Sequence, residues 1–98
     1  MKKLFVLLGS EIQYSKSPIV YNSWFQKDNI SAHYTLLDMP KNSLPAAIRR
    51  IRQEPSIHGG NVTTPFKVGF ANYCDVLSNE AKEIAAVNTF VKNDDNII

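Results

Sequence analysis

The chain of 98 residues has one cysteine, four glycines and no apolar run longer than Leu4 to Leu8. Cys74 alone rules out an internal disulfide and fits a reducing compartment. It has no Cys or His partner at metal-ligand spacing, so no metal site is expected and a buried or half-buried thiol is. The opening Met-Lys-Lys-Leu-Phe-Val-Leu-Leu is superficially like a secretory signal, but its apolar stretch is too short. Glu11 also follows before any small-residue cleavage site. No stretch is long enough to span a membrane, and the cytoplasm is the expected compartment. Charge of one sign is scarce as well: the net charge is +2, too small for a nucleic-acid footprint. The densest basic stretch, Arg49-Arg50-Ile51-Arg52, reads as the solvated face of a helix. No Gly-x-Gly-x-x-Gly occurs, so a dinucleotide phosphate loop is absent.

What is present is an ordinary globular balance, 44% hydrophobic and 20% charged, in a length that fits one domain over residues 1–98. Leu4 to Leu8 is continuously apolar, as expected of a parallel strand covered on both faces. Gly9 and Ser10 end it. Ser17-Pro18 reads as an N-cap followed by proline at the first helical position. The helix so started should run from Pro18 to about Asp28 and bury Val20, Tyr21 and Trp24. A strand follows from about His33 to Leu37. Asn42 or Ser43 can cap the next helix, where Leu44, Ala47, Ile48 and Ile51 form one apolar stripe. Ile57 to Val62 is a third strand, and Thr64-Pro65 repeats the cap-plus-proline signal before a short helix. Ser78 caps a helix through Ile84. Ala86 to Val91 is a fourth strand, Asn93-Asp94-Asp95-Asn96 a turn, and Ile97-Ile98 the start of a fifth strand.

Strands alternating with helices predict an α/β fold with a largely parallel sheet. Ligands of such sheets gather at the carboxyl ends of the strands, which directs attention to three segments. Ser15 and Ser17 lie in the first, Asn61, Thr63 and Lys67 in the second, Asn88 and Thr89 in the third. Hydroxyls and amides with one lysine suit a polyhydroxylated anion, whose carboxylate a helix N-terminus welcomes. Each residue also has a structural reading: Ser17 as a helix cap, Asn61 and Asn88 as satisfiers of loop backbone, Lys67 as a surface lysine. A lysine in the first turn of a helix opposes the helix dipole, a placement that suits a proton-exchanging group.

In order, Gly9-Ser-Glu-Ile-Gln-Tyr-Ser-Lys-Ser-Pro18 with Asn22, Gly60-Asn-Val-Thr-Thr-Pro-Phe-Lys67 and Ala86-Val-Asn-Thr89 resemble three motifs of the shikimate dehydrogenase family. The resemblance implies the substrate-binding, amino-terminal domain of that family, a three-layer α/β/α unit. It implies that Ser15 and Ser17 hold the shikimate carboxylate. Thr63 and Asn88 contact ring hydroxyls, Asn61 borders the pocket, and Lys67 is the catalytic lysine that handles the proton as hydride passes between substrate and NADP. The implied reaction is the reversible reduction of 3-dehydroshikimate to shikimate in aromatic amino acid biosynthesis. The family's partner aspartate, in an Asn-Thr-Asp-Gly motif, its last strands, its returning helix and its NADP-binding domain are not in this sequence. The isolated chain is therefore expected to bind no cofactor, to be inactive, and to self-associate through bare surface. Tyr21 stands where the family often has His. Asn79 stands where it often has an acidic residue near the cofactor, a weak cofactor-side assignment. The alternatives are a non-catalytic module for a shikimate-like ligand and a paralogue acting on quinate or an amino-substituted ring.

Overall fold

Strand β1 (Lys3–Gly9) holds the longest apolar run, and an interior place in a sheet is what such a run requires. In the computed structural model, which describes residues 2–94 and 96–98, β1 lies between β2 (Ala32–Asp38) and β3 (Ile57–Val62), parallel to both. Strands β4 (Thr89–Asn93) and β5 (Asn96–Ile97) add an antiparallel hairpin, completing the order β2-β1-β3-β4-β5. The sheet is therefore mixed. Its parallel part holds three strands, and the hairpin must run antiparallel because so short a turn cannot cross over.

Helices cover both faces. On one, α2 (Leu44–Gln53), α3 (Lys67–Ala71) and α4 (Asn79–Ile84) meet the sheet. Ala47, Ile48, Ile51 and Phe70 pack there with Val6, Leu8, Leu37, Val62 and Phe90 in one continuous core. Each fully buried Leu, Ile or Phe contributes roughly 1.5–3 kcal/mol, so this face dominates stability. The stripe expected of Leu44, Ala47, Ile48 and Ile51 is realised, with the last three buried.

The opposite face carries α1 (Ser17–Lys27). Tyr21 stacks on Tyr34 of β2 at 4.5 Å, and Phe25 meets Phe5 of β1 at 5.8 Å. These two side chains, one turn apart, form the seam. Val20 and Trp24, expected inside, remain 41% and 55% exposed. They lie outside the Tyr21–Phe25 line, and no other helix among the described residues shares that face to cover them. Beside α1 runs an apolar groove of about 490 Å³ lined by Phe5, Tyr21, Phe25, Tyr34 and Val91.

The helix ends show what the sequence signals do. Ser17 is the first helical residue and caps nothing; the cap position falls on Lys16, and the Ser15 hydroxyl accepts the Ser17 N–H at 3.2 Å. At the other end Asn29 takes a left-handed conformation, the Ile30 N–H reaches the Phe25 carbonyl, and the Asn29 N–H reaches Gln26, closing a Schellman motif. Ser43 sits at the cap of α2, yet its hydroxyl donates to the Pro40 carbonyl. Thr64 does not start a helix: the Phe66 N–H closes a turn onto the Thr63 carbonyl, and α3 begins at Lys67. Ser78 caps α4 as expected, accepting the Ala81 N–H at 3.1 Å. Strand β4 begins at Thr89 instead of Ala86, because Ala85 ends α4 in the left-handed region and residues 86–88 bond to other segments.

Arg52 is not part of a merely solvated face. Its guanidinium pairs with Asp75 at 2.9 Å and donates to the Tyr73 carbonyl. Asp75 also accepts the Ile97 N–H at 2.7 Å, so the pair ties α2, the loop before α4 and β5 together. Cys74 is the half-buried thiol expected, donating to the Phe70 carbonyl at 3.6 Å, with burial pushing its pKa up. The turn expected at residues 93–96 joins β4 to β5, with Asp94 left-handed; Asp95 lies outside the described residues.

Candidate functional site

The three sequence segments converge because the backbone ladder continues past the strand ends. Beyond β1 and β3 the Thr63 N–H bonds the Leu8 carbonyl at 2.8 Å, and the Ser10 N–H reaches the Thr64 carbonyl at 3.4 Å. The first and second segments are thereby joined. The Val62 N–H bonds the Asn88 carbonyl at 2.7 Å, and the Val87 N–H bonds the Lys67 carbonyl at 2.9 Å, which brings in the third. Gly9 permits the approach: a Cβ there would stand 2.6 Å from the Thr63 methyl and 2.7 Å from Ile12.

Ser15 lies in a loop held from β2, and Ser17 opens the helix that follows it. The Asp38 carboxylate accepts the Glu11 and Ile12 N–H groups at 2.9 and 3.2 Å, and the Met39 N–H bonds the Gly9 carbonyl. Within the loop the Ser15 N–H returns to the Ile12 carbonyl at 2.9 Å. Both serines are half-buried, with Ser15 in the turn and Ser17 at the N-terminus of the 11-residue helix α1. Since no cap bond uses the Ser17 hydroxyl, it is available to a ligand, contrary to the capping role expected of it.

Thr63 and Lys67 are half-buried, the first just past β3 and the second opening α3, while Asn88 is exposed just before β4. Asn61 stands one pair of residues before Thr63 and is fully oriented. Its Oδ1 accepts the Tyr34 hydroxyl at 2.9 Å, and its Nδ2 donates to Thr89 Oγ1 at 3.1 Å. Burial, with the neighbouring Tyr21 adding to it, pushes the Tyr34 phenol up to about 12. Asn79 is apart from this set, exposed as the first residue of α4.

Two grooves flank the site. The apolar one beside α1 shares Asn61 and Thr89 with it, and another of about 360 Å³ has Ser78, Ile84, Val87 and Asn88 in its wall. Neither includes Ser15, Ser17, Thr63 or Lys67. The polar set therefore forms an open edge along the carboxyl ends of β1 and β3, suited to a small ligand presenting oxygens. Tyr34 and Asp38 were missed as site supports, whereas Thr89 was singled out with Asn88 and proves to hold Asn61. The strand-end rule could have found Asp38; Tyr34 gives no local signal, because its hydroxyl acts across β1.

A nicotinamide cofactor would need a glycine-rich phosphate cradle. Gly59 and Gly60 lie inside β3, where a Cβ at Gly60 would fall 2.0 Å from the Val6 carbonyl oxygen. Their role is close strand packing, and no phosphate cradle forms among the described residues. Among those residues no cluster of His, Cys, Asp and Glu could hold a metal ion, and no helix is long and apolar enough to cross a membrane.

The family model for the shikimate dehydrogenase substrate binding domain matches residues 7–90. An NADP-dependent shikimate dehydrogenase of Pelagibacter ubique is 40% identical over the whole chain, which covers 37% of it. One from Bacillus cereus is 39% identical, with 35% of its length covered. Among solved structures, a shikimate dehydrogenase in complex with NADP+ superposes with a TM-score of 0.91 at 31% identity, over 99% of this chain and 33% of that one. The Listeria monocytogenes shikimate 5-dehydrogenase in complex with shikimate and NAD gives 0.90 at 29%, over 98% and 33%. The chain thus spans about a third of the length of these relatives. Fold, motifs and matched span agree: the chain belongs to the shikimate dehydrogenase family, as its substrate-binding domain.

Proposed function

We infer that this chain binds shikimate or 3-dehydroshikimate along the open edge, and that Lys67 moves the proton at the reacting oxygen in a protein that also holds NADP. The observation that carries the reading is the set of backbone bonds from Thr63 to Leu8, Val62 to Asn88 and Val87 to Lys67, which gather three distant polar segments. In this reading the Ser15 and Ser17 hydroxyls donate to the ligand carboxylate at the positive end of α1. Thr63 and Asn88 take the ring hydroxyls, with Asn61 at the rim. Lys67 then stands within reach of the carbinol oxygen, taking its proton on oxidation and returning it on reduction. Side chains held by strand ends keep that oxygen in place without ordering loops at the moment of reaction. NADP, which the relatives' names carry, finds no cradle on the described residues, and Asn79 has only a peripheral cofactor-side part. The half-buried free thiol of Cys74 fits a cytoplasmic setting.

Titrating the labelled chain with shikimate, followed by amide NMR, tests the reading. Saturable shifts at Ser15, Ser17, Thr63 and Asn88 are expected. The methyl ester, which lacks the carboxylate charge, should bind about tenfold more weakly, the scale of a hydrogen bond to a charged group. Shifts confined to the apolar groove at Phe5, Tyr21 and Val91, or no saturable shift, would overturn it.

A further inference from the structure

Asn22 belongs to the first motif, yet the site as described gives it nothing to do. Its side chain faces the outer edge of β2, where Oδ1 accepts the Tyr34 N–H at 2.7 Å and Nδ2 donates to the Tyr34 carbonyl at 2.9 Å. An amide that satisfies both backbone groups of one strand residue imitates a step of sheet ladder. It locks α1 to β2 at that residue. Tyr34 is 2% exposed, and its ring is clamped a second time by the parallel stack with Tyr21, interplanar angle 12°. From this double anchorage the phenol reaches over β1 to Asn61 on β3, and Asn61 reaches Thr89 on β4.

We propose that Tyr34 is a positioning residue: its hydroxyl, with that of Thr89, holds the Asn61 amide at the substrate rim in one orientation, acceptor toward β2 and donor toward β4. The inference rests on the shikimate-binding reading above. An asparagine amide left to itself has a broad, two-fold χ2, so Asn61 unsupported would present oxygen or nitrogen to a ligand almost indifferently. One N–H and one lone pair remain on the amide after both bonds are made, and the strut decides where each one points. Because the phenol is raised to about 12, it stays protonated through the ordinary pH range and remains the donor to Asn61. Thr89 follows Asn88 directly, so the same strut fixes the strand end from which Asn88 projects.

The test uses this chain, shikimate as probe, and the Asn61 side-chain NH2 resonances. Tyr34→Phe keeps the stack with Tyr21 and the backbone clamp by Asn22 and removes only the hydroxyl. It should weaken shikimate binding about five- to tenfold, the scale of one hydrogen bond, and shift the Asn61 amide pair. Thr89→Val should do the same and Thr89→Ser should recover binding. In an Asn61→Ala background Tyr34→Phe should change the Kd by less than about twofold, since its effect runs through Asn61. Thermal unfolding of every variant separates a loss of fold, which the coupling to Asn61 would not follow. Wild-type affinity in Tyr34→Phe, or an undiminished effect without Asn61, overturns the proposal. If the parent chain binds no shikimate, the ligand reading fails by itself. The strut is then judged on the ligand-free chain: an Asn61 amide pair unmoved by Tyr34→Phe refutes it.

Discussion

Replacing Gly60 by alanine asks whether the glycine of Gly60-Asn-Val-Thr-Thr-Pro-Phe-Lys67 serves strand packing. The added Cβ would lie 2.0 Å from the Val6 carbonyl oxygen and 2.9 Å from the Val6 carbonyl carbon and nitrogen. All three are backbone atoms of β1, which is paired on both sides and cannot retreat without opening one ladder. Overpacking that side chains can absorb costs about 1–3 kcal/mol. Here backbone must move and one or two ladder bonds are lost as well, each worth about 1 kcal/mol. The sum is about 2–5 kcal/mol, its upper end an exceptional value for one substitution and a large part of the roughly 5–15 kcal/mol that holds a domain. Gly69→Ala is the control. Its Cβ would meet the Leu44 Cδ2 methyl at 2.7 Å, the movable end of a side chain, inside helix α3, where alanine is favoured by about 1 kcal/mol. Urea unfolding followed by circular dichroism should find Gly60→Ala unfolded or with a far lower midpoint, and Gly69→Ala within about 1 kcal/mol of the parent. A Gly60→Ala chain unfolding at the parent's urea concentration would refute the packing argument.

Three further outcomes are expected. Asp38→Ala removes the acceptor of the Glu11 and Ile12 N–H groups at the protein surface. It should lower stability by about 1 kcal/mol yet weaken shikimate binding tenfold or so; calorimetry on the folded variant checks the imbalance, and unchanged affinity would break the link from β2 to the serine loop. The Asp75 carboxyl is held below its ordinary value of 3.8 by the Ile97 N–H and then by Arg52. A group depressed in the fold contributes stability that is complete well above that value and drains as pH falls through and below it. The melting-temperature gap between the parent and Asp75→Asn should therefore be widest near neutral pH and close toward pH ~3; a gap independent of pH defeats this. With the remainder of a relative's chain joined on, Lys67→Ala should lower kcat about a hundredfold with a smaller rise in KM, whereas a raised KM at unchanged kcat would make Lys67 a binding residue only.

The parts of the fold legible in the sequence were those governed by hydrophobic period. The run Leu4–Leu8, the stripe of α2 and the strand Ile57–Val62 needed only local patterning, and the structure gives β3 those same bounds. Cap signals were less informative, because a hydroxyl before proline has more than one use. Ser17 and Thr64 each precede a proline, yet neither caps, since the Lys16 carbonyl takes the Val20 N–H and the Thr63 carbonyl takes the Phe66 N–H that such caps would have accepted. Val20 and Trp24 show a different limit. Helical spacing identifies apolar faces of α1 but not which of them meets the sheet, and the stack of Tyr21 on Tyr34 selects one. The candidate site was legible as a list of residues from motif order. Its supports were not, because Tyr34 acts on Asn61 at a separation of 27 residues and Asp38 on Glu11 at the same separation.

Those supports explain how an irregular edge can be rigid enough to bind. Loops normally lose order because their backbone groups bond to water. Here the N–H groups of Ser10, Glu11, Ile12, Ser15, Val62, Thr63 and Val87 are each taken by protein acceptors. Two of those acceptor atoms belong to Asp38 at the end of β2, and Asn22 fastens the same strand at Tyr34. Strand β2 lies at the edge of the sheet and contributes no residue proposed to touch the ligand, yet it sets the place of the serine loop and, through Tyr34, of Asn61. Changes on the α2 face should thus appear first as lost stability, because Ile48, Ile51 and Leu8 are buried together in the core there. Changes at Asn22, Tyr34 and Asp38 should appear first as lost affinity, because what they hold is the relative position of polar groups that must meet one small molecule together.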